Sequence, residues 1–473
     1  MEEEGVFLPD NSLRLPLLHP SDGGADTVRG TSLGQTCANL INIFVGLGLL
    51  SMPFALMKGG WVALVALAIL VPLFGCSGQL ICSAFDLMPA GVPKTYPNLG
   101  AAAAGKLGSR VVLAFSCCEL FGATLITLCI VWQMLELLLP SEGLGPLHPM
   151  QLAACLSCVV LLPLLCTDLR RLARFSMLGS CSTAAVVLMV LALAVLDPRR
   201  AGMPQQPPPS RHLASAGLIQ SLGIFALSCS AHTTLPALRS SMAKPTRFPA
   251  ALAASFGIMF ACYSAVAAAG YWYFGDGASP LVTTDLAINS FYTFSRIPVD
   301  RLLAVLVLVS GLTKYPALNM ILQASRSRLL LPADMILSAL PLRRDSLGND
   351  RARQQWLERG LRLLLFAVAA LLALTVYSSL GSVLSLVGGL CSLTCSLLLP
   401  SAFYTLLAWR QLRWPARVAL STMLLLGLSL ISLITATNLW ELTSSRHAAP
   451  APPADNLAGS RWGGLGLLLP FPP

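Results

Sequence analysis

NLINIFVGLGLLSMPFALMKGGW, residues 39–61, is apolar enough to enter a bilayer, yet it carries Gly46, Gly48 and Pro53 where a membrane helix should run unbroken. Gly46 and Gly48 loosen the helical ladder, and Pro53 removes a backbone donor one or two turns on. A carbonyl or N–H left unpaired in hydrocarbon is costly, so an interruption at this depth needs a compensating use. The spacing predicts that the helix opens between Gly46 and Pro53. A second stretch repeats the arrangement. SLGIFALSCSAHTTLPALRSSM, residues 221–242, sets the small polar Ser228 and Ser230, then His232, then Pro236 inside an apolar run. The bland alternative, that glycine and proline merely permit close packing or a kink, fits either stretch alone. A matched pair favours a shared purpose.

The whole composition agrees with a bilayer environment. Of 473 residues, 55% are hydrophobic and 11% charged, with mean hydropathy +0.72, whereas soluble proteins carry roughly 25% charged residues. This excludes a chain of soluble domains, a disordered chain and a small disulfide scaffold. The net charge of +10 comes from 31 basic residues dispersed between apolar runs, so no nucleic-acid partner is expected. All 14 cysteines fall inside apolar runs, and no disulfide framework is expected. The first 34 residues contain no apolar core resembling a cleavable signal, so the first span is expected to direct its own insertion.

Apolar runs long enough to cross a hydrocarbon core of about 30 Å number eleven. They are 35–57, 61–85, 111–139, 150–168, 174–196, 214–238, 248–274, 302–325, 363–379, 382–408 and 416–438. The expected fold is therefore an all-α polytopic membrane protein. With a cytosolic N-terminus, 22 of the 31 Lys and Arg residues fall on the cytosolic side, as the positive-inside rule requires. The chain then divides into a cytosolic N-tail (1–34), a transmembrane domain (35–438) and a flexible C-tail across the membrane (439–473). Inside the domain, spans one to five (35–196) and six to ten (214–408) form two halves, each opening on its interrupted helix. The eleventh span (416–438) is an addition.

Discontinuous helices at corresponding positions of two halves mark a transporter's binding site. Unwound N–H groups present partial positive charge to a carboxylate, and unwound carbonyls face a cation or an ammonium. A zwitterionic amino acid suits both. Three ionisable residues at membrane depth add to the candidate site. Glu119 lies ~13 Å from the cytosolic end of its span and Lys314 ~18 Å, both near the midplane. They are coupling residues or a static ion pair that sets helix register. His232, in the second interruption, either titrates or caps carbonyls freed by the break. Asn42, one turn before Gly46, lines the cavity or bonds a neighbouring helix.

These pieces, taken in order, resemble the amino acid/auxin permease family, in particular its vacuolar and vesicular inhibitory amino acid transporter branch. The resemblance rests on Asn42 with GLGLLSMPFALMKGGW, on TYPNLG at 95–100, Glu119, and Ala231-His232 with Pro236 and SM…KPTRFP. It continues through GYWYFG at 270–275, LTKYPAL at 312–318 and LGSVLSLVGG…LLLPSAFY at 380–404. It implies the LeuT-like 5+5 inverted-repeat fold of amino acid, polyamine and organocation transporters. It also implies proton-coupled transport of small, neutral amino acids with no cofactor or metal. Carried onto this chain, it makes segment 46–51, with Gly46, Gly48, Leu49 and Ser51, the carboxylate site beside Asn42. Ser228, Ser230 and His232 lie on the facing helix, and Glu119, Lys314 and His232 serve coupling. Two departures bear on substrate preference: Ala237 where the family often has Asn, and Asp285-Leu286 where it has Asn-Leu.

The expectation is a monomeric secondary transporter in lipid, in a vacuolar or other acidic organelle membrane, with the plasma membrane as the alternative. A channel would want rings of like charge, which are not visible. An enzyme would want a nucleophile with its base, or a metal cluster. The remaining rival is a sensor that uses the same fold with little flux.

Overall fold

The computed structural model describes residues 30–44, 47–139, 148–165, 169–195, 210–281, 293–294, 297–329 and 347–447. Helical segments occupy all eleven anticipated positions. The first is split into α1 (Leu33–Phe44) and α2 (Met52–Gly59), followed by α3 (Val62–Asp86), α4 (Tyr96–Leu138), α5 (Pro149–Leu165) and α6 (Leu169–Val195). The sixth is split into α7 (Leu218–Cys229) and α8 (Leu235–Ser241), followed by α9 (Phe248–Phe274), α10 (Val299–Leu329) and α11 (Leu347–Val376). The tenth comprises α12 (Leu380–Val387), a widened middle and α13 (Leu399–Ala408), and α14 (Trp414–His447) is the eleventh. By length and composition seven described helices are able to cross a membrane, or eight with the bent first pair counted as one. A two-residue hairpin, Thr293 with Pro298 and Phe294 with Ile297, is the strand pairing among the described residues.

Local sequence accounts for the helix starts. Ser32 and Gln35 form a capping box, Gln35 N–H donating to Ser32 Oγ and Ser32 N–H to Gln35 Oε1. Thr95 caps α4, with Pro97 in its first turn. Within α4 the ladder breaks at Ala104 and Gly105, the latter at φ 61°, where a glycine is needed. The long membrane-crossing part of the third span therefore begins after Gly105. Pro53 and Pro236 each sit in the first turn of a second half-helix, where the missing N–H costs nothing.

The packing repeats when the two halves are exchanged. The first span packs on the seventh and the sixth on the second; the fifth packs on the seventh and the tenth on the second. The third contacts the ninth and tenth as the eighth contacts the fourth and fifth. Five spans per half, an odd number, turn the second half over relative to the first. The exchange fails at one place: the sixth span packs closely on the tenth, where a Cβ on Gly388 would overlap the Gly223 carbonyl. Among the described residues the first and fifth make at most marginal contact.

One boundary moves. The eleventh helix runs on to His447, past the expected tail boundary at 439, and half-buried Glu441 ties this extension to the bundle. It accepts from Lys58 Nζ at 3.1 Å, Gln220 Nε2 at 2.6 Å and Ser382 Oγ at 2.8 Å, joining the eleventh span to the first, sixth and tenth. The N-tail before residue 30 and the C-tail after 447 lie outside the described residues.

Candidate functional site

Both interruptions are real. After Phe44 the first span resumes as a tight turn, Leu47–Ser51, and its two arms are bent by 51°. In the sixth span Ser230 is extended (φ −86°, ψ 122°) and Ala231 is non-helical, before a tight turn at His232–Thr234. Between the two breaks and the third, eighth and tenth spans lies a cavity of about 440 Å³. It reaches exposed Lys94 and Ser240 at one end of the bundle.

The opposite end is bridged by described residues. Residues 210–216 form a strap in which the carbonyls of His212 and Leu213 accept from Trp61 and Val62 N–H, and Ser215 N–H donates to Gly59. The His212 Nε2 to Asp276 Oδ2 contact of 3.0 Å ties the strap to the exit of the seventh span. Arg211 lies 4.4 Å over the Trp272 ring beside it. At the open end Arg239 donates to both oxygens of Asp86, joining the sixth span to the second, and Thr31 N–H donates to the Ser241 carbonyl.

Asn42, Gly48, Ser228 and Ser230 line the cavity, together with Glu119 and Lys314. Leu49, Ser51 and His232 do not line it. Leu49 is fully buried and Ser51 is 1% exposed, both enclosed where α2 packs against the sixth and seventh spans. Gly46 and Asp285-Leu286 lie outside the described residues, while Ala237 is in the lining.

His232 turns the other way. Its Nε2 lies 2.9 Å from the Phe74 carbonyl and 2.9 Å from Ser77 Oγ, both in the second span. A carbonyl only accepts, so Nε2 carries a ring proton, and the buried Nδ1 has no hydrogen-bond partner among the described residues. The side chain therefore pins the break to the second span, and does not cap the freed carbonyls.

Glu119 and Lys314 share the cavity without pairing. Glu119 Oε1 accepts from Ser230 Oγ at 2.5 Å and Ser392 Oγ at 2.6 Å, and Ser396 Oγ is 2.6 Å from Ser230 Oγ. Lys314 Nζ donates to Thr183 Oγ1 at 3.0 Å, a hydroxyl that also meets Ser310. The register-setting ion pair is not formed. Ser392 and Ser396 were not legible as site residues. They face the break because residues 388–392 and 394–398 form π-helical turns, which shift the helix face by one position. Tyr263 was missed as well: its buried hydroxyl is 2.6 Å from the Phe44 carbonyl and 2.8 Å from the Ser228 carbonyl.

The breaks touch at Gly48, where an added Cβ would lie 2.6 Å from Ser228 Oγ. Gly48→Ala is expected to slow substrate movement by roughly tenfold, the equivalent of an overpacking cost of about 1–3 kcal/mol. Adding Ser228→Gly removes the obstructing hydroxyl and is expected to restore at least part of the rate; a double variant no faster than Gly48→Ala would refute a steric origin.

A duplicated helical bundle with two interrupted spans around a charged, one-sided cavity has the form of a membrane transport protein. The chain belongs to the transmembrane amino acid transporter protein family, whose model matches residues 29–440. Among curated relatives, amino acid transporter AVT1C of Arabidopsis thaliana is 27% identical over 86% of this chain and 69% of its own length. AVT1B of the same plant is 28% identical over 79% of this chain and 64% of its own length, and AVT1J is 25% identical over 85% and 88%. Among solved structures, MhsT in complex with L-phenylalanine is 14% identical over 85% of this chain and 99% of its own, with TM-score 0.47. Mhp1 in an inward-facing conformation is 14% identical over 88% and 93%, with TM-score 0.48.

Proposed function

We propose that this protein is a proton-coupled secondary transporter of small neutral amino acids, working by alternating access. The observation that carries the reading is one cavity, bounded by both interrupted spans, that holds a carboxylate and an ammonium at separate points. The unwound first span receives the substrate carboxylate, and the freed carbonyls receive its ammonium. Opposite fixed charges leave no excess to offset a charged substrate side chain. Ile43, Leu113, Leu120, Ile126 and Ile321 offer an apolar wall to a neutral one.

Coupling falls to Glu119 and Lys314, which line the cavity, rather than to His232, which does not. The first, second and sixth spans move together against the third and eighth. With a cytosolic N-terminus the open end faces the cytosol, so the described state is the inward-facing one. The membrane of an acidic organelle, the vacuole foremost, supplies the proton gradient, and the carrier works as a monomer in lipid.

Purified protein in proteoliposomes is expected to show counterflow, in which unlabelled internal substrate accelerates entry of the labelled one. Competition by a panel of amino acids, with and without a pH gradient, then ranks substrates. A sensor with little flux binds the same amino acids but shows no trans-stimulation, and that outcome would replace the carrier reading.

A further inference from the structure

The last turn of any half-helix leaves carbonyls without intrahelical partners. Here two such turns converge. Phe44 ends the first arm of the first span, Ser228 lies in the last turn of the first arm of the sixth, and their carbonyl oxygens meet at one hydroxyl, that of Tyr263. Two carbonyl dipoles pointing at one spot attract either a cation or a hydrogen-bond donor, since oxygen ligands of this kind coordinate alkali ions in interrupted membrane helices. Tyr263 is fully buried in the seventh span, and its hydroxyl sits between the two breaks. Its single proton serves the two oxygens in turn.

We infer that the Tyr263 hydroxyl is a built-in substitute for a monovalent metal cation, holding the two interruptions together so that the carrier needs no such ion at this point. Tyr263 is thus a positioning residue: it acts through the backbone of the first and sixth spans, and it does not line the cavity. The inference rests on the carrier reading for its consequence in transport, but the converging carbonyls and their occupant are testable without flux.

The test removes the hydroxyl and offers an ion in its place. Tyr263→Phe keeps the ring and leaves both carbonyls facing an unfilled point. In detergent, the wild-type protein is expected to melt at the same temperature in sodium, lithium or choline chloride. The Phe variant is expected to melt lower in choline and to gain about 2 °C or more in sodium or lithium. In proteoliposomes, counterflow by the variant in choline is expected to fall about tenfold, as buried acceptors lose their donor, through the maximal rate more than through KM. Sodium or lithium should restore part of it.

A variant with wild-type stability and flux in choline would overturn the inference, and so would a loss that no alkali ion reverses. Replacing Tyr263 by 4-aminophenylalanine, which restores an N–H donor at the same reach, should return ion-independent melting. This keeps the test decisive if the Phe variant fails to accumulate: dependence on alkali ions in the amino variant would also overturn the inference. Absence of counterflow in the wild type, with the melting pattern as described, would remove the carrier reading and leave this one standing.

Discussion

Glu119→Gln is expected to leave a protein that exchanges substrate across the membrane but no longer concentrates it. The amide keeps an oxygen where Oε1 accepts from Ser230 and Ser392, so the hydroxyl cluster under the sixth-span break survives. What is lost is a group that can take up and release a proton in contact with the cavity. Its new N–H2 adds a destabilisation of roughly 1–3 kcal/mol if unpartnered, which lowers yield before it alters mechanism. Accumulation driven by a pH gradient should fall more than about tenfold, to the level seen without a gradient, while counterflow stays within about threefold of wild type; an interaction used only in coupling has that signature. Gradient-driven uptake that persists in Glu119→Gln would move the proton site elsewhere.

Lys314→Ala should have an effect of comparable size for a different reason. The ammonium belongs to the eighth span and bonds Thr183 in the fifth, two elements of the half of the bundle that faces the interrupted spans. No carboxylate pairs with it among the described residues, so when protonated it stands as an unpaired ammonium at the cavity wall. Such a charge repels an alkali ion and attracts a substrate carboxylate or a deprotonated Glu119. Removing it is expected to cut pH-driven uptake at least about tenfold, the scale of losing one charge-assisted contact of about 1.5–3 kcal/mol. Lys314→Arg should not rescue, because a planar fork does not fit a site that holds one hydroxyl. Unchanged uptake with unchanged pH dependence would take Lys314 out of the mechanism.

The two breaks were legible because glycine and proline act on the backbone itself, wherever the neighbours lie. The charged pair was legible because charge at membrane depth is costly in any context. Hydroxyl residues carry no such mark. Thr124, Thr127 and Ser401 bond back to the carbonyls of Leu120, Ala123 and Leu397 in their own helices, the default for a hydroxyl in an apolar span. Ser392, Ser396, Ser77, Thr183 and Tyr263 look the same in one dimension, and only packing separates them. His232 shows a different limit. Its place in the break was legible, but its direction was not, because the carbonyl that Nε2 meets belongs to the second span.

The eleventh helix, which resembles a late addition in sequence, gives the molecule a resting posture. Through Glu441 it grips Lys58 and Gln220, one from each interrupted span, and Ser382 of the tenth. Discharging cargo on the sealed side means prising these contacts apart together with the 210–216 strap, whereas turning back toward Lys94 disturbs neither. In a carrier that alternates as proposed, these contacts would weight the molecule toward the state open at Lys94, and the helix that sets the weight lies outside the lining of the cavity.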